Sequence, residues 1–326
     1  MSAASDPVVE CLALSGGVGG AKLVVGLARL IAPGRLMVAA NTGDDFEHLG
    51  LHVSPDIDTL VYTLSGLANP ATGWGRAGET WTFMSALEAL GGETWFQLGD
   101  NDLAMHVERT RRLRAGETLS AITADLGARL GVAARIVPMS DDPVRTIVET
   151  PSGPLDFQSY FVRQRCEPAV TGLRFDGATA ARPQAQILEA LADPALEAVV
   201  ICPSNPLISI DPILALPGLR EGLTSCPAPV IAVSPIVGGR ALKGPTAKMM
   251  GELGMAVTAA AVAAHYGGLL DGFVIDRADE NLAGELRAAG LAVRVADTVM
   301  ASLEDREALA REVLGLAGEI RDGGGG

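Results

Sequence analysis

The feature that most constrains the fold of this chain is a glycine-rich turn that directly follows an apolar segment near the N-terminus. The mainly apolar residues 8–14 predict a buried strand, residues 22–30 have the Leu and Val spacing of a helix, and residues 36–40 predict a second buried strand. Strand, turn, helix and strand within about thirty residues are typical of a βαβ unit with parallel strands. We therefore predict an α/β fold with a Rossmann-like, mostly parallel sheet flanked by helices.

The rest of the sequence extends this sheet and indicates an insertion. Hydrophobic residues make up 48% of the chain but aromatic residues only 4%, so the core consists of Ala, Val, Leu and Ile, which suits parallel strands covered on both faces. We expect one chain, 1–326, with a Rossmann-like core at about 8–64 and 191–320 and an inserted, mainly helical lobe at about 65–190. Further strands are predicted at 133–138, 198–202, 229–233, 272–275 and 291–295.

Charge and cysteine usage exclude several classes of protein. The formal net charge of −14 repels nucleic acid and anionic lipid, so neither is expected as a partner. The apolar segments are short and interrupted, and no signal peptide is recognisable, so we expect a cytoplasmic protein without a membrane span. The scattered cysteines, none in a CxxC pair, predict free thiols in a reducing compartment. They are Cys11, Cys166, Cys202 and Cys226.

The glycine-rich turn itself predicts an anion-binding site. Glycines allow the backbone to approach a ligand closely, and the helix that follows offers free N–H groups and a positive dipole end. The turn is not a Walker A loop, because Leu23 stands where the Ser or Thr should follow Lys22, and it lacks the third glycine of the dinucleotide fingerprint. The alternative is a tight turn without a ligand. The phosphate-binding candidates are Gly16, Gly17, Gly19, Gly20 and Lys22.

Two acidic segments follow the second predicted strand. Residues 41–45 contain Asp44 and Asp45, and residues 54–59 contain Asp56 and Asp58. Since the carboxyl ends of parallel strands face the ligand cleft, these carboxylates could hold Mg²⁺, which uses one or two carboxylates together with substrate phosphate. Asp44 and Asp58 are the preferred pair. The alternative is that Asp56 or Asp58 caps the helix that we predict to begin near residue 59.

Three further features are open to two interpretations. Ser204 and Asn205 follow a predicted strand and could contact a base or ribose, or form an ordinary turn. Lys243 and Lys248 could offset the charge of a diphosphate or be surface charges. His106, one turn after an acidic segment, is more often structural than catalytic.

In joint order and spacing, these segments resemble the 2-phospho-L-lactate transferase family, CofD in archaea and FbiA in actinobacteria, of coenzyme F-420 biosynthesis. The resemblance covers nearly the whole chain. It rests on residues 15–22, 41–45, 54–59, 95–102, 138–143, 157–161, 203–210, 212–220 and 234–244.

The resemblance implies the reaction. Members of that family transfer a phosphorylated three-carbon acid (phospho-L-lactate, phosphoenolpyruvate or phosphoglycerate) from its guanosine diphosphate conjugate to the ribityl hydroxyl of the deazaflavin Fo. GMP is released, and F-420-0 or its dehydro form results. The family is similarly Rossmann-like, requires Mg²⁺ and is usually dimeric, so a homodimer is expected here.

The resemblance also implies roles for individual residues. The glycine turn with Lys22 would hold phosphate, and Asp44 and Asp58 would be catalytic, either by binding Mg²⁺ or by orienting the attacking hydroxyl. Ser204 and Asn205 would contact the guanosine. Gln97 would line the deazaflavin pocket. Many relatives carry a basic residue at or near Gln97 or Asn101, and both are neutral here, so a charge contact at that point is in doubt.

Two other functions compete with this interpretation. The first is a non-catalytic nucleotide or nucleotide-sugar sensing protein of a sister family, which the segments 56–58 and 95–102 argue against. The second is an NAD-dependent dehydrogenase. The missing third glycine argues against it, as does Asn41 where an acidic residue should end the second strand.

Overall fold

The computed structural model describes residues 8–70 and 73–323. The first seven residues of the N-terminal segment, in which no signal peptide is expected, lie outside the described residues. Its strands are β1 Cys11–Ser15, β2 Leu36–Ala40, β3 Phe46–His48, β4 Leu51–Val53, β5 Arg135–Pro138, β6 Arg145–Thr150, β7 Gly153–Asp156, β8 Gly172–Asp176, β9 Ala198–Ile201, β10 Val230–Val233, β11 Ile236–Val237, β12 Arg240–Ala241, β13 Gly272–Asp276 and β14 Ala292–Ala296. Its α-helices are α1 Gly17–Leu30, α2 Pro55–Leu64, α3 Thr82–Ala89, α4 Asp100–Arg114, α5 Leu119–Arg129, α6 Ala185–Ala192, α7 Asp211–Leu214, α8 Leu219–Ser225, α9 Thr246–Glu252, α10 Ala259–Tyr266, α11 Ala283–Ala288 and α12 Leu303–Gly323.

The core is a seven-stranded parallel sheet in the order β14-β13-β10-β9-β1-β2-β5. Cys11 of the central strand β1 pairs with Leu36 of β2 on one side and with Ala198 of β9 on the other. All five residues of β1 are buried, as expected for a strand covered on both faces. The prediction of an α/β fold with a mostly parallel sheet is confirmed. The loops that follow β1, β2, β9 and β10 therefore meet at one edge of the sheet.

Helices cover the two faces of this sheet with separate apolar clusters. On one face, α1 and α12 pack so closely that a Cβ on Gly26 would run into the backbone carbonyl of Arg306. On the other face, Ile187 of α6, Leu219 of α8 and Val262 of α10 belong to one buried cluster. No helix in the described part of the chain combines the length and the apolar character that crossing a membrane requires.

The segment 65–190, expected to be a mainly helical insert, is more mixed than that. It contains the helices α3, α4 and α5, but β5 pairs in parallel with β2 and so belongs to the main sheet. A separate antiparallel sheet, β7-β6-β8, follows it. The expected boundary therefore differs from the structure at β5, because its apolar residues complete the edge of the core next to Val38 and Ala39.

Candidate active site

A cavity of about 870 Å³ opens at the carboxyl edge of the main sheet. Gly20 does not line it, because this residue lies under the turn, where a Cβ would collide with the hydroxyls of Ser15 and Ser204. The cavity thus brings together nine of the ten residues that the sequence predicted for the site. They are Gly16, Gly17, Gly19, Lys22, Asp44, Asp58, Gln97, Ser204 and Asn205.

The glycine turn is the N-terminus of α1. The helix begins at Gly17, earlier than expected, and Gly17 adopts a left-handed φ of +64° that side chains disfavour. The Gly17 N–H donates to Asp56 Oδ1 at 2.6 Å, so a carboxylate already occupies part of this helix terminus. A Cβ on Gly19 would lie 2.6 Å from the carbonyl oxygen of Pro203. The turn therefore needs glycine both for its conformation and for its contact with the loop after β9.

Ser204 holds the turn against that loop. Its hydroxyl accepts from the Gly16 N–H at 3.2 Å and donates to the Gly16 carbonyl at 2.7 Å. Asn205 uses its side-chain oxygen to accept from the Leu207 N–H at 2.9 Å. Both residues line the cavity, but the Ser204 hydroxyl already serves the turn, which gives this residue a structural role that the sequence did not predict.

Asp44 and Asp56 are buried carboxylates on the floor of the cavity. Asp56 Oδ2 accepts from Asn41 Nδ2 at 2.9 Å, whereas Asp44 Oδ1 has no hydrogen-bond partner among the described residues. Burial, followed by the charge of Asp56, raises the pKa of Asp44 well above its usual range. Burial raises the pKa of Asp56 to about 6. An orphaned, buried carboxylate oxygen is costly unless a ligand or a cation satisfies it.

Asp58 has a different environment, because it forms an ion pair with Arg109 of α4. Arg109 Nη1 donates to Asp58 Oδ2 at 3.1 Å, and Nη2 contacts Asp58 Oδ1. Arg109 is 2% exposed and Asp58 5%, so this charge pair is removed from water. Neither Asp56 nor Asp58 caps α2, since their oxygens bond to other groups. Arg109 was not predicted from the sequence, where its only signal is its position one helical turn after Met105 and His106 on α4.

His106 belongs to the same buried network. His106 Nδ1 lies 3.4 Å from Arg109 Nη1, and Nε2 lies 3.3 Å from Asp102 Oδ1, which also accepts from the Tyr62 hydroxyl at 2.6 Å. One ligand atom each from Asp58, Asp102 and His106 lies within 4.8 Å of the others. The Arg109 guanidinium already neutralises this group, so we do not assign the metal to it.

The cavity lining also contains basic side chains. Lys22 Nζ donates to the Met300 carbonyl at 2.8 Å, and burial, together with the charges of Arg306 and Lys243, lowers the pKa of Lys22. Lys243 also lines the cavity. Lys248 does not, because it is bonded to Glu252, Tyr160 and the Pro168 carbonyl. Of the two lysines flagged in the sequence, only Lys243 can offset a diphosphate here.

Aromatic side chains form one wall of the cavity. Trp95 and Phe96 pack against each other and against Phe46, with Trp95 and Phe46 ring centroids 6.2 Å apart. Phe157 and Phe161 stack with centroids 5.4 Å apart and a 10° interplanar angle. Such flat apolar surfaces suit a planar ring ligand.

Gln97 and Asn101, the two neutral positions noted in the sequence, differ in location. Gln97 lines the cavity beside the aromatic wall, and its amide nitrogen donates to the Thr94 carbonyl at 2.7 Å. Asn101 lies outside the cavity lining, where its backbone N–H donates to Glu79. Only Gln97 is therefore positioned to face a ligand.

Comparison with known proteins identifies related sequences over nearly the whole chain. The family model for 2-phospho-L-lactate transferase CofD matches residues 11–314. A phosphoenolpyruvate transferase of Kitasatospora aureofaciens is 41% identical over 97% of this chain and 100% of its own length. One from Streptomyces griseus is 42% identical over 96% and 100%. A 2-phospho-L-lactate transferase of Methanosarcina acetivorans is 39% identical over 93% and 97%.

The solved structures confirm the architecture. A member of the UPF0052 family from Bacillus halodurans superposes with a TM-score of 0.61 at 14% sequence identity, over 94% of this chain and 99% of that one. At this level of identity the likeness concerns the fold alone.

Proposed function

The chain belongs to the 2-phospho-L-lactate transferase (CofD) family, whose members are transferases of coenzyme F-420 biosynthesis, and from that premise we propose its substrates. The donor is a guanosine diphosphate conjugate of a phosphorylated three-carbon acid, the acceptor is the ribityl hydroxyl of the deazaflavin Fo, and GMP is the leaving group. One observation carries the proposal. A single cavity is lined by a helix N-terminus, a buried carboxylate with an unsatisfied oxygen, two lysines and several aromatic side chains.

The names of the relatives support two of the three candidate acids. Actinobacterial relatives are named phosphoenolpyruvate transferases and an archaeal one a 2-phospho-L-lactate transferase, at similar identity. We therefore propose phosphoenolpyruvate or phospho-L-lactate as the transferred acid, with phosphoglycerate as the third candidate to be tested. We propose further that the protein is located in the cytoplasm and is a homodimer.

The residues present fit a magnesium ion at Asp44. Its buried Oδ1 lacks a partner among the described residues, and its raised pKa reflects an unfavourable charge that a divalent cation would relieve. Asp58, predicted as the second ligand, is paired with Arg109 instead, so we assign to it the positioning of Arg109. Asp56 is then the carboxylate beside Asp44 that could share the cation.

The mechanism is one of positioning and charge stabilisation. Asp44, with Asp56 beside it, would hold Mg²⁺, and the bound ion would supply positive charge against the charge that develops on the leaving GMP. The amides of the first turn of α1 and the ammonium of Lys22 would hold the diphosphate, while Trp95 and Phe96 hold the deazaflavin ring. Fixing the hydroxyl in line with the phosphorus supplies much of the rate acceleration.

The test is mass spectrometry of the product formed from Fo with each candidate donor. Asp44→Ala should abolish turnover while the circular dichroism spectrum stays unchanged, because the variant loses the proposed cation site. Asp322→Asn is the matched control, since Asp322 is exposed at the far end of α12 and should leave turnover unchanged. Full activity of Asp44→Ala would remove this residue from the mechanism. Nucleotide binding without any product from the unmodified protein would favour a sensing protein.

A further inference from the structure

We propose that Asp102 is the catalytic residue that accepts the proton of the attacking hydroxyl, and that Tyr62 and His106 position it. This inference rests on the proposed function, because it concerns the acceptor alcohol of that reaction. The sequence patterns did not indicate this role for Asp102. It lies in the first turn of α4, where acidic residues are common because the helix dipole stabilises them.

The two oxygens of Asp102 have unequal surroundings. Oδ1 accepts from the Tyr62 hydroxyl at 2.6 Å and lies 3.3 Å from His106 Nε2. Oδ2 has no hydrogen bond to the described residues, and the side chain is 15% exposed at the cavity wall. One oxygen is therefore held in place, and the other is available to a ligand hydroxyl within the cavity.

Arg109 fixes the orientation of His106 that this arrangement needs. A guanidinium can only donate hydrogen bonds. In the contact of 3.4 Å between Arg109 Nη1 and His106 Nδ1, the histidine nitrogen is therefore the acceptor. His106 Nε2 is then on the side of Asp102, 3.3 Å from its Oδ1. The Asp102 N–H is in turn anchored to Glu79 Oε1 at 2.9 Å. The backbone and one carboxylate oxygen of Asp102 are thus both restrained, which is how a catalytic group is preorganised.

The other carboxylates of the site are already engaged. Asp58 is bidentate with Arg109, and Asp56 accepts from Gly17 and Asn41. Asp45, which does not line the cavity, accepts from Ser54 and His52.

Asp44 Oδ1 and Asp45 Oδ1 both lack a hydrogen-bond partner among the described residues, but of the two only Asp44 lines the cavity, and Asp44 is the proposed cation ligand. Binding a cation would leave it a poor acceptor for a proton. Asp102 is therefore the carboxylate of the cavity that is free for the acceptor hydroxyl.

The proposed step balances without a further reactant. The hydroxyl oxygen forms the new P–O bond, and its proton moves to Asp102 Oδ2. The P–O bond to GMP breaks, and GMP leaves with the bonding electron pair. The proton later returns to solvent through the cavity mouth. Removing a general base of this kind typically lowers the rate by about 10²–10⁴-fold.

The experiment compares chemistry with binding in the full-length protein supplied with Mg²⁺. Asp102→Asn should lower the single-turnover rate by about 100-fold or more, while the dissociation constant for Fo, measured by its fluorescence, changes by less than about threefold. Tyr62→Phe should lower the rate less, because Oδ1 keeps its neighbour His106. Glu108→Gln, on the exposed side of the same helix, is the matched control and should change neither quantity.

Two outcomes would overturn the inference. One is an Asp102→Asn variant whose single-turnover rate stays within about threefold of the unmodified protein. The other is a loss that lies wholly in the dissociation constant for Fo, which would make Asp102 a binding group. An unmodified protein that transfers no acid from any donor to Fo would refute the proposed function instead, so the two failures are distinguishable. Circular dichroism and thermal unfolding identify a variant that has not folded, and Asp102→Glu, which keeps the base, should then retain more activity than Asp102→Asn.

Discussion

At the level of single residues, the aspartates of one cavity have different roles because their hydrogen-bond and charge partners differ. Asp58 is neutralised by Arg109, Asp56 is held by an amide and by Asn41, and Asp44 keeps an unsatisfied oxygen. The sequence identified the acidic cluster but ranked Asp58 beside Asp44, because spacing along the chain does not reveal that α4 brings an arginine to Asp58. Long-range pairing of this kind depends on how helices pack, which no local pattern encodes.

The raised pKa values of the buried aspartates predict a pH-dependent effect of magnesium on stability. Folding raises the pKa of Asp56 to about 6, so the folded state binds this proton more tightly than the unfolded chain. The resulting stabilisation is present below the ordinary Asp pKa and is lost as the pH rises through the raised value. Without Mg²⁺, the free energy of unfolding should thus receive a contribution that declines from about pH 4 to about pH 7.

If the ionised carboxylates bind Mg²⁺ as proposed, the ion competes with these protons and should stabilise the protein more at about pH 8 than at about pH 5. Urea unfolding with and without Mg²⁺ at both values measures this difference. In Asp44→Asn the effect of Mg²⁺ should shrink at the higher pH. Equal stabilisation by Mg²⁺ at both pH values would contradict a site made of Asp44 and its neighbours.

The buried ion pair of Asp58 and Arg109 predicts how the loss of one or both charges changes the free energy of unfolding. Arg109→Leu leaves the Asp58 carboxylate buried without a partner, which should lower the free energy of unfolding by about 3–5 kcal/mol. Asp58→Leu/Arg109→Leu removes both charges and should recover most of that loss. Chemical denaturation of the unmodified protein, Arg109→Leu and the double variant measures these differences. If Arg109→Leu unfolds like the unmodified protein, the ion pair contributes little to stability.

At the level of elements, the start of α1 shows which features the local sequence predicts and which depend on tertiary contacts. The glycines and the preceding apolar strand predicted a strand, a turn and a helix, and the confirmed parallel pairing of β1 with β2 follows from their buried, apolar character. The helix nevertheless begins at Gly17, because contacts from Asp56 and Pro203 fix a glycine segment that has no intrinsic helix preference. The strand β5 was recognisable in the sequence, but its place at the sheet edge was not.

Gly19 predicts how sensitive this helix start is to a single methyl group. In Gly19→Ala the Cβ would lie 2.6 Å from a backbone oxygen, so α1 must move away from the loop after β9. We expect a loss of about 1–3 kcal/mol in stability together with weaker GDP binding, because the amides of the first turn shift. Calorimetry measures both quantities.

Gly315→Ala is the control for this substitution. Gly315 lies inside α12 with nothing within 4 Å of its added Cβ. The gain in helix propensity should stabilise the protein by about 1 kcal/mol and leave GDP binding unchanged. If Gly19→Ala behaved like this control, the close contact with Pro203 would not constrain the turn.

At the level of the whole molecule, an acidic protein places two of its 25 Lys and Arg residues in the lining of the cavity, where a phosphorylated ligand would need them. The net charge is −14, yet Lys22 and Lys243 face the same end of the cavity, with Arg306 close enough to lower the pKa of Lys22. Asp44, Asp56 and Asp102 line the same cavity. Basic groups and carboxylates together suit the proposed ligand, a diphosphate bound with a divalent cation.

The four free cysteines report on the integrity of the whole sheet. Cys11 in the central strand and Cys202 at the end of β9 are buried, and burial raises the pKa of Cys202 to about 12. Since the thiolate is the reactive form, both should resist alkylation in the native protein at neutral pH, whereas the partly exposed Cys166 and Cys226 should react slowly.

Mass mapping of alkylated peptides should therefore show Cys11 and Cys202 modified only after unfolding. Because Cys11 lies between two parallel partners, its labelling rate measures opening of the entire sheet. Equal labelling of all four thiols in the native state would mean that this sheet opens far more readily than its buried, apolar strands imply.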